Sequence, residues 1–230
     1  HSALLGVALI YGSSFLIAKA AMQGAVPPRA FIQFRVTGAA LLFWLLTPLS
    51  GGHSFLNIPV KDRLRLAICA VFGVTTNMLF FFEGLKITTP VNASIMMVSG
   101  PIMVLVAGAV LVKERITPPK IAGIFLGALG AFWLIYSGAN FQLNGLFSSE
   151  VAKGNLFVLI NASSYAIYLV LVKPIMAKYN ALFIIRWVFT FGVFFVLPFG
   201  GPQFQEIQWS LWDANIIGAV IFVVVGTTFL

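Results

Sequence analysis

Apolar residues in this chain are gathered into long blocks that are separated by short polar connections. A helix of about 17 to 23 apolar residues is long enough to cross the ~30 Å hydrocarbon core of a bilayer. Eight blocks meet this length, near residues 3–22, 30–48, 64–85, 91–112, 119–138, 154–172, 181–199 and 213–230. The pattern predicts an all-α membrane protein with eight transmembrane helices present.

The composition excludes several other classes of protein. Hydrophobic residues make up 60% of the 230 positions and charged residues only 9%, whereas a soluble domain carries roughly 25% charged residues. Cys69 is the only cysteine, and there are two histidines, so a disulfide scaffold or a metal-cluster protein is excluded. We expect no cofactor and no metal. The net charge of +8 is interpreted as loop charge that orients the helices, and not as a nucleic-acid surface.

The distribution of lysine and arginine predicts the orientation. With the N-terminus in the cytoplasm, the inside loops hold eight of these residues and the outside loops three. The inside set includes Arg63, Arg115 and Lys178, and the loop near 200–212 contains Glu206 without any Lys or Arg. Because cytoplasmic loops are enriched in basic residues, the N-terminus is predicted to face the cytoplasm.

Part of the sequence repeats itself. Three motifs recur in the same order, at offsets of 150, 151 and 152 residues: residues 9–17 with 159–167, Arg35 with Arg186, and Thr75-Thr76 with Thr227-Thr228. The second copy begins five predicted helices after the first, and because five is an odd number the second copy enters the membrane from the opposite side. Such inverted-topology repeats are common in secondary transporters, whose binding sites lie near the midplane. Chance similarity between Leu- and Phe-rich helices is the alternative.

The repeat divides the chain into a first copy at residues 1–138, an outside linker at 139–152 and a second copy at 153–230. Segments 4 and 5 of the first copy have no counterpart before Leu230. We therefore expect a parent protein of ten helices in two inverted repeats of five, with two further helices after Leu230.

Four short motifs, in order, resemble the EamA branch of the drug/metabolite transporter superfamily. They are Tyr11-Gly12-Ser13-Ser14-Phe15, Pro27-Pro28 with Phe34-Arg35, Glu83-Gly84-Leu85-Lys86-Ile87-Thr88, and Val112-Lys113-Glu114-Arg115-Ile116-Thr117. Tyr11, Ser14, Glu83 and Gly84 depart from the family pattern, which has Trp, Asn, Tyr and Ala there. The resemblance covers the whole chain and implies two five-helix inverted repeats that export or exchange a small metabolite such as an amino acid.

The resulting hypothesis is a multi-pass transporter of the cell (inner) membrane that works by alternating access. Its partners would be a small-molecule substrate and the lipid bilayer, without nucleic acid. The alternative is a membrane scaffold or sensor that has the fold but does not transport. No His, Asp or Cys lies at a central position of a predicted helix, and no nucleotide-binding motif is present, so an enzyme is not expected.

Polar residues near the predicted midplane are the candidates for a substrate cavity. They are Tyr11, Ser13, Ser14, Asn77, Ser99, Asn161, Ser163, Ser164 and Tyr168. The alternative for each hydroxyl is helix–helix packing, since small polar residues commonly join membrane helices. Asn77 and Asn161 favour a cavity more strongly, because an amide costs more to remove from water. Gly123, Gly127 and Gly130 predict close helix packing.

Charged residues within the predicted helices are candidates for a gate or a charge pair. Lys19, Arg35 and Glu83 lie near the predicted outer end, where they are close enough in depth to pair. Arg186, the repeat partner of Arg35, lies toward the inner end. The alternative for the basic residues is snorkelling to lipid phosphates. Glu114 is expected to form a loop salt bridge and not to carry protons.

Overall fold

A computed structural model of the chain describes residues 17–18, 22, 26–49, 57–137 and 149–229, and the side chains of all of these except 49, 128, 130–137 and 149. Across these ranges the regular structure is helical. In chain order the helices are α1 (Pro28–Leu45), α2 (Val60–Ala70), α3 (Asn77–Ile87), α4 (Pro90–Met97), α5 (Gly100–Val112), α6 (Pro118–Ser137), α7 (Ser149–Met176), α8 (Ala181–Gln203) and α9 (Ala214–Ile221).

Two π-helical segments extend these helices. Val71–Thr76 joins α2 to α3 without a break, and Phe222–Phe229 follows α9 directly. Short 3₁₀ turns lie at Thr47–Leu49, Phe204–Glu206 and Trp209–Leu211. The chain divides into two compact units, residues 1–75 with 175–230 and residues 76–174.

Long apolar helices agree with the predicted segments. In the described part of the chain, four helical stretches are long and apolar enough to cross a membrane: Val60–Ile87, Pro90–Val112, Glu150–Met176 and Ala181–Glu206. Ala214–Phe229 is apolar but shorter. Most of the first predicted segment, 3–22, lies outside the described residues. The all-helical class is confirmed, while the full count of eight crossings and the inverted repeat stay predictions.

Helix starts follow from capping chemistry that the sequence carries. The Thr89 side chain accepts a hydrogen bond from the Asn92 backbone N–H (3.1 Å), with Pro90 in the first turn. The Asn180 side chain caps α8 by accepting from the Leu182 N–H at 2.8 Å. Such caps satisfy backbone donors that a helix leaves unpaired at its N-terminus.

The predicted fourth segment, 91–112, is interrupted in its middle. A turn at Val98 and Ser99 separates α4 from α5, and Pro101 lies in the first turn of α5. Proline cannot donate a backbone hydrogen bond and restricts the residue before it, so it fits the start of a new helical turn. The Gly100-Pro101 pair thus marks the point where the helix is interrupted.

In the first unit, α1 and α8 pack along their lengths. The rings of Phe43 and Phe189 lie 5.3 Å apart, and Trp44 Nε1 donates to Thr190 Oγ1 at 3.0 Å. Gly192 faces Val74 so closely that a Cβ would lie 2.7 Å from Val74 Cγ1. This unit therefore joins the helices of the predicted segments 30–48 and 181–199.

In the second unit, α7 packs against both α3 and α5. Ala166 and Val170 of α7 form an apolar cluster with Ala107 of α5. On the α3 side, a Cβ on Gly84 would lie 2.9 Å from the Gly154 carbonyl oxygen. The absence of side chains on these two glycines allows the backbones to approach this closely.

The prediction that glycines of the fifth segment mediate helix packing is wrong for Gly123 and Gly127. A Cβ at either position would meet no described atom within 4 Å. Both glycines instead line an open groove of about 510 Å³ together with residues of α4 and α5. The spacing of small residues makes close packing sterically possible, but such packing occurs only where another helix lies against them. The side chain of position 130 lies outside the described residues.

Candidate functional site

Asn77 and Asn161 join α3 to α7 through a reciprocal pair of hydrogen bonds. Asn161 Nδ2 donates to the Asn77 carbonyl oxygen at 2.7 Å, and Asn77 Nδ2 donates to the Asn161 carbonyl oxygen at 3.4 Å. Asn161 is 2% exposed, and Asn77 is partly buried. The structure thus brings together two of the predicted site residues and gives the amide donors of both a protein acceptor.

The amide of Asn161 is held in one orientation. Reversing it would place its oxygen against the Asn77 carbonyl oxygen, and two acceptors repel each other. With Nδ2 fixed in this way, the buried Oδ1 has no hydrogen-bond donor among the described residues. Leaving a buried acceptor unsatisfied costs free energy, on the order of 1–3 kcal/mol. Such a group in a well-packed helix interface calls for an explanation.

Other predicted cavity residues of the second unit use their hydroxyls locally. Ser163 Oγ donates to the Leu159 carbonyl oxygen at 2.9 Å, and Ser99 Oγ donates to the Met96 carbonyl oxygen at 2.6 Å. Both bonds stay within the segment that carries the serine, as is common for hydroxyls in apolar helices. Their geometry favours the packing interpretation for these two hydroxyls.

The face of α7 that contains Asn161 also carries Ser164, Tyr165 and Tyr168. Residues three, four and seven positions apart lie on one side of a helix. Ser164 is buried, whereas Tyr165 is 45% exposed. The Tyr165 and Tyr168 ring centroids lie 5.7 Å apart at an angle of 35°. The predicted site residues Tyr11, Ser13, Ser14 and Lys19 lie outside the described residues.

The two predicted intramembrane arginines both belong to the first unit. Arg35 Nε donates to Thr228 Oγ1 at 2.6 Å. The Arg186 side chain is buried, and its guanidinium carbon lies 4.7 Å from the ring centroid of Trp44 and 5.5 Å from that of Phe183. Cation–π contacts of this kind stabilise a guanidinium away from water. Burial of Arg186 argues against snorkelling at this position.

Glu83 is partly buried in the second unit, and its pairing with Lys19 or Arg35 stays a prediction.

The threonine pairs of the predicted repeat lie in the two π-helical segments. Thr75 and Thr76 end the segment Val71–Thr76, and Thr227 and Thr228 lie in Phe222–Phe229. Thr227 Oγ1 donates to the Val223 carbonyl oxygen at 2.7 Å, and Thr228 Oγ1 donates to the same oxygen at 2.9 Å. A π-helical turn widens the helix and is frequent at functional sites. Sequence periodicity did not predict these segments.

A buried carboxylate at the start of α2 was not among the predicted site residues. The Asp62 side chain is 3% exposed, and it accepts hydrogen bonds from Lys178 Nζ at 3.0 Å and from Tyr179 Oη at 3.0 Å. Burial raises the pKa of the Tyr179 hydroxyl above its usual value, and the hydrogen bond to Asp62 adds to this shift. One signal in the sequence could have found it: Asp62 is one of only six acidic residues, and it lies within a basic run.

The loop salt bridge expected for Glu114 is confirmed. Its carboxylate lies 2.6 Å from Lys120 Nζ and 3.7 Å from Lys173 Nζ. The hydrogen bond from Lys120 and the positive charges of both lysines lower the pKa of Glu114 below its usual value. A carboxylate that stays ionised in this way is unsuited to carrying protons near neutral pH.

Comparisons with known proteins agree with this architecture. Residues 1–136 match the EamA-like transporter family. A protein of Archaeoglobus fulgidus named an uncharacterized transporter is 29% identical over 200 residues, which are 86% of this chain and 66% of that protein. The uncharacterized transporter YyaM of Bacillus subtilis is 23% identical over 228 residues, 99% of this chain and 73% of its own length. The chain thus spans about two thirds of the length of these relatives.

A solved crystal structure is similar in fold. It superimposes with a TM-score of 0.68 at 23% sequence identity, covering 98% of this chain and 74% of the other. At this level of identity the similarity concerns the fold alone.

Proposed function

This chain belongs to the EamA-like transporter family and is a multi-pass membrane protein, and on that premise we propose that it carries a small metabolite, such as an amino acid, across the membrane by alternating access. The cell (inner) membrane is the proposed location, with the N-terminus in the cytoplasm. The proposed architecture has eight crossing helices in this chain, arranged as two inverted repeats of a ten-helix protein.

The observation that carries this proposal is the occurrence of a π-helical segment at matching places in both predicted copies. Val71–Thr76 and Phe222–Phe229 each contain a threonine pair that the sequence repeat aligns at an offset of 152 residues. Backbone irregularities at corresponding positions of two inverted halves are typical of transporter binding sites. Packing between ordinary helices gives no reason for the same irregularity to occur twice.

The contact between Arg35 and Thr228 supports a functional link between the copies. Arg35 belongs to the first copy and Thr228 to the π-helical segment of the second, and their side chains share a 2.6 Å hydrogen bond. Ionisable groups inside a membrane are costly and mark functional sites by default. Arg35, together with Lys19, Glu83 and Arg186, is proposed to form the gate or charge pair.

The proposed substrate cavity lies near the midplane between the first helices of the two copies. Its proposed lining residues are Tyr11, Ser13, Ser14, Asn77, Ser99, Asn161, Ser163, Ser164 and Tyr168. The buried, unsatisfied Oδ1 of Asn161 supports this location, because it offers an acceptor that no described residue uses. The local hydrogen bonds of Ser99 and Ser163 give those two residues the weakest support in the set.

A flux measurement tests the proposal. The full-length protein is reconstituted in liposomes that contain unlabelled L-amino acids. Uptake of each radiolabelled amino acid is compared with uptake into liposomes that contain the protein but no amino acids. Alternating access predicts saturable uptake that increases when the interior is preloaded. The reason is that outward transport of an unlabelled molecule leaves the binding site facing the outside, where it can bind a labelled one.

Matched arginine variants sharpen this measurement. Arg35→Gln should lower the rate roughly tenfold, since it removes a charge-assisted hydrogen bond. Arg29→Gln removes a charge from the same helix at an exposed position and should leave the rate nearly unchanged. Absence of uptake for all amino acids tested would contradict the proposed substrate class, and uptake without stimulation by preloading would contradict alternating access.

A further inference from the structure

Asn161 Oδ1 is an acceptor whose position is set by the rest of its own side chain. The 2.7 Å hydrogen bond from Nδ2 to the Asn77 carbonyl oxygen fixes the amide plane, so Oδ1 is directed away from that bond. The residue is 2% exposed, and no described donor reaches this oxygen. A preorganised acceptor that lacks a protein donor fits a ligand that brings a donor of its own.

Beyond Asn161, the same face of α7 becomes more exposed. Asn161 and Ser164 are buried, but Tyr165, four residues beyond Asn161 and about 6 Å along the helix axis, is 45% exposed. The face thus changes from closed to open within one helical turn. In this conformation Oδ1 is enclosed, and a ligand would reach it from the tyrosine side when the helices separate.

The aromatic rings on this face determine which donor suits the site. Tyr165 and Tyr168 have ring centroids 5.7 Å apart at 35°, so one small cationic group can lie within about 6 Å of both centroids. Aromatic faces attract ammonium groups within about 6 Å. A carboxylate or phosphate would instead meet the partial negative charge of the amide oxygen and of the ring faces, and both repel it.

We infer that Asn161 Oδ1, with the Tyr165–Tyr168 pair, forms a subsite for the primary ammonium group of the transported molecule. The inference rests on the proposed transport function and narrows it to amine-bearing substrates. It also gives a role to the unsatisfied acceptor. Closure of the empty site costs free energy because Oδ1 is buried without a hydrogen bond, and the N–H donors of the ammonium group remove this cost. Closure with substrate bound is then favoured over closure of an empty site.

Binding can be measured without transport. Purified full-length protein is titrated with n-butylammonium chloride or with n-butyltrimethylammonium chloride at constant ionic strength, and the Tm is recorded. Both ions carry one positive charge and the same chain, but only the first has N–H donors. We expect the wild-type protein to reach half of its maximal Tm increase at a concentration at least tenfold lower for n-butylammonium, a difference of about 1.4 kcal/mol.

Four variants separate the acceptor from its surroundings. Asn161→Leu and the smaller Asn161→Ala should each lose the tenfold preference for the N–H donor. Asn155→Ala removes another buried amide of α7, whose Oδ1 already accepts a 2.7 Å hydrogen bond from Thr88 Oγ1, so it should retain the preference. Tyr165→Leu should weaken binding of both ions alike, because cation–π attraction does not require N–H groups.

Equal half-maximal concentrations for the two ions in the wild-type protein would overturn the inference. The same conclusion follows if the preference survives in both Asn161 variants, or if neither ion raises the Tm up to about 100 mM. Failure of the flux measurement with ammonium binding intact would count against the proposed function and not against the subsite. Transport together with equal binding of the two ions would count against the subsite and not against the proposed function.

Discussion

Asn161 and Asn77 exchange side-chain-to-backbone hydrogen bonds of unequal length, 2.7 Å from Asn161 and 3.4 Å from Asn77. Each amide donates to the backbone carbonyl of the other residue, so neither bond requires both side chains. The pair is therefore separable by mutation, one residue at a time. The shorter bond belongs to the more deeply buried residue.

This geometry predicts unequal effects of replacing the two amides. Asn161→Leu loses the shorter bond, at about 1 kcal/mol, but it also removes the unsatisfied Oδ1, so the free energy of unfolding should be unchanged or higher. Asn77→Leu loses only the longer bond and should lower the free energy of unfolding by less than about 0.5 kcal/mol. Thermal unfolding in detergent measures both, with the wild-type protein as reference. A loss above about 1 kcal/mol for Asn161→Leu would contradict the penalty assigned to Oδ1. Flux measured on the same variants separates substrate binding from stability.

Asp62 and Lys178 form an ion pair whose partners are buried to very different degrees. The Asp62 side chain is 3% exposed and that of Lys178 is 54% exposed. Lys178→Met leaves a buried carboxylate with the Tyr179 hydroxyl as its only side-chain donor among the described residues, and we expect a cost of about 1–3 kcal/mol. Asp62→Asn leaves a lysine that can turn to water, and we expect about 1 kcal/mol or less.

Thermal unfolding of the two single variants and of the double variant checks this asymmetry. The double variant should cost less than the sum of the single ones, because the penalty of Lys178→Met disappears when the carboxylate is absent. Additive losses would mean that the two groups do not interact in the folded protein.

The crossing of α3 and α7 at Gly84 and Gly154 should not accept a side chain. In Gly84→Ala the new Cβ would lie 2.9 Å from the Gly154 carbonyl oxygen, a backbone atom that cannot move aside cheaply. We expect a loss of about 1–3 kcal/mol, visible as a lower Tm. Gly123→Ala is the matched control, since a Cβ there meets no described atom within 4 Å, and alanine should leave the Tm unchanged or raise it. Equal effects of the two substitutions would contradict the crossing.

Asp213 is predicted to make the stability of α9 depend on acid pH. The backbone N–H of Ile216 and the amide of Asn215 hydrogen-bond its carboxylate and lower its pKa below the usual value. Because the folded-state pKa is the lower one, the stabilisation is present above the ordinary value and is lost as pH falls through the lowered value. Between about pH 5 and pH 3, the Tm of the wild-type protein should fall more steeply than that of Asp213→Asn. Parallel curves would mean that another group carries the acid sensitivity.

The predicted orientation can be tested with single cysteines at positions 63, 115 and 206. Cys69 is buried and free, so Cys69→Ala gives an apolar background suited to its surroundings. In intact cells an impermeant thiol reagent should label position 206 only, and disruption of the membrane should expose the other two. Labelling of position 63 but not 206 in intact cells would reverse the orientation.

The amino-acid sequence by itself determined the helical membrane class, the places where most described helices begin and end, and the family. These properties follow from local patterns: the length of apolar runs, the prolines and caps at helix starts, and short motifs in a fixed order. The break before Gly100-Pro101 and the salt bridge of Glu114 were predictable for the same reason, because the residues involved are close in sequence or lie in one charged loop.

Only the tertiary structure decided which residues meet. The exchange between Asn77 and Asn161 joins positions 84 residues apart, and the contact between Asp62 and Lys178 joins positions 116 apart. The glycines show the limit most clearly: Gly84 is in tight contact while Gly123 faces open space, although both lie in apolar helices. Helical periodicity tells which residues share a face, but whether that face meets another helix, a ligand or the bilayer depends on how the helices pack against one another.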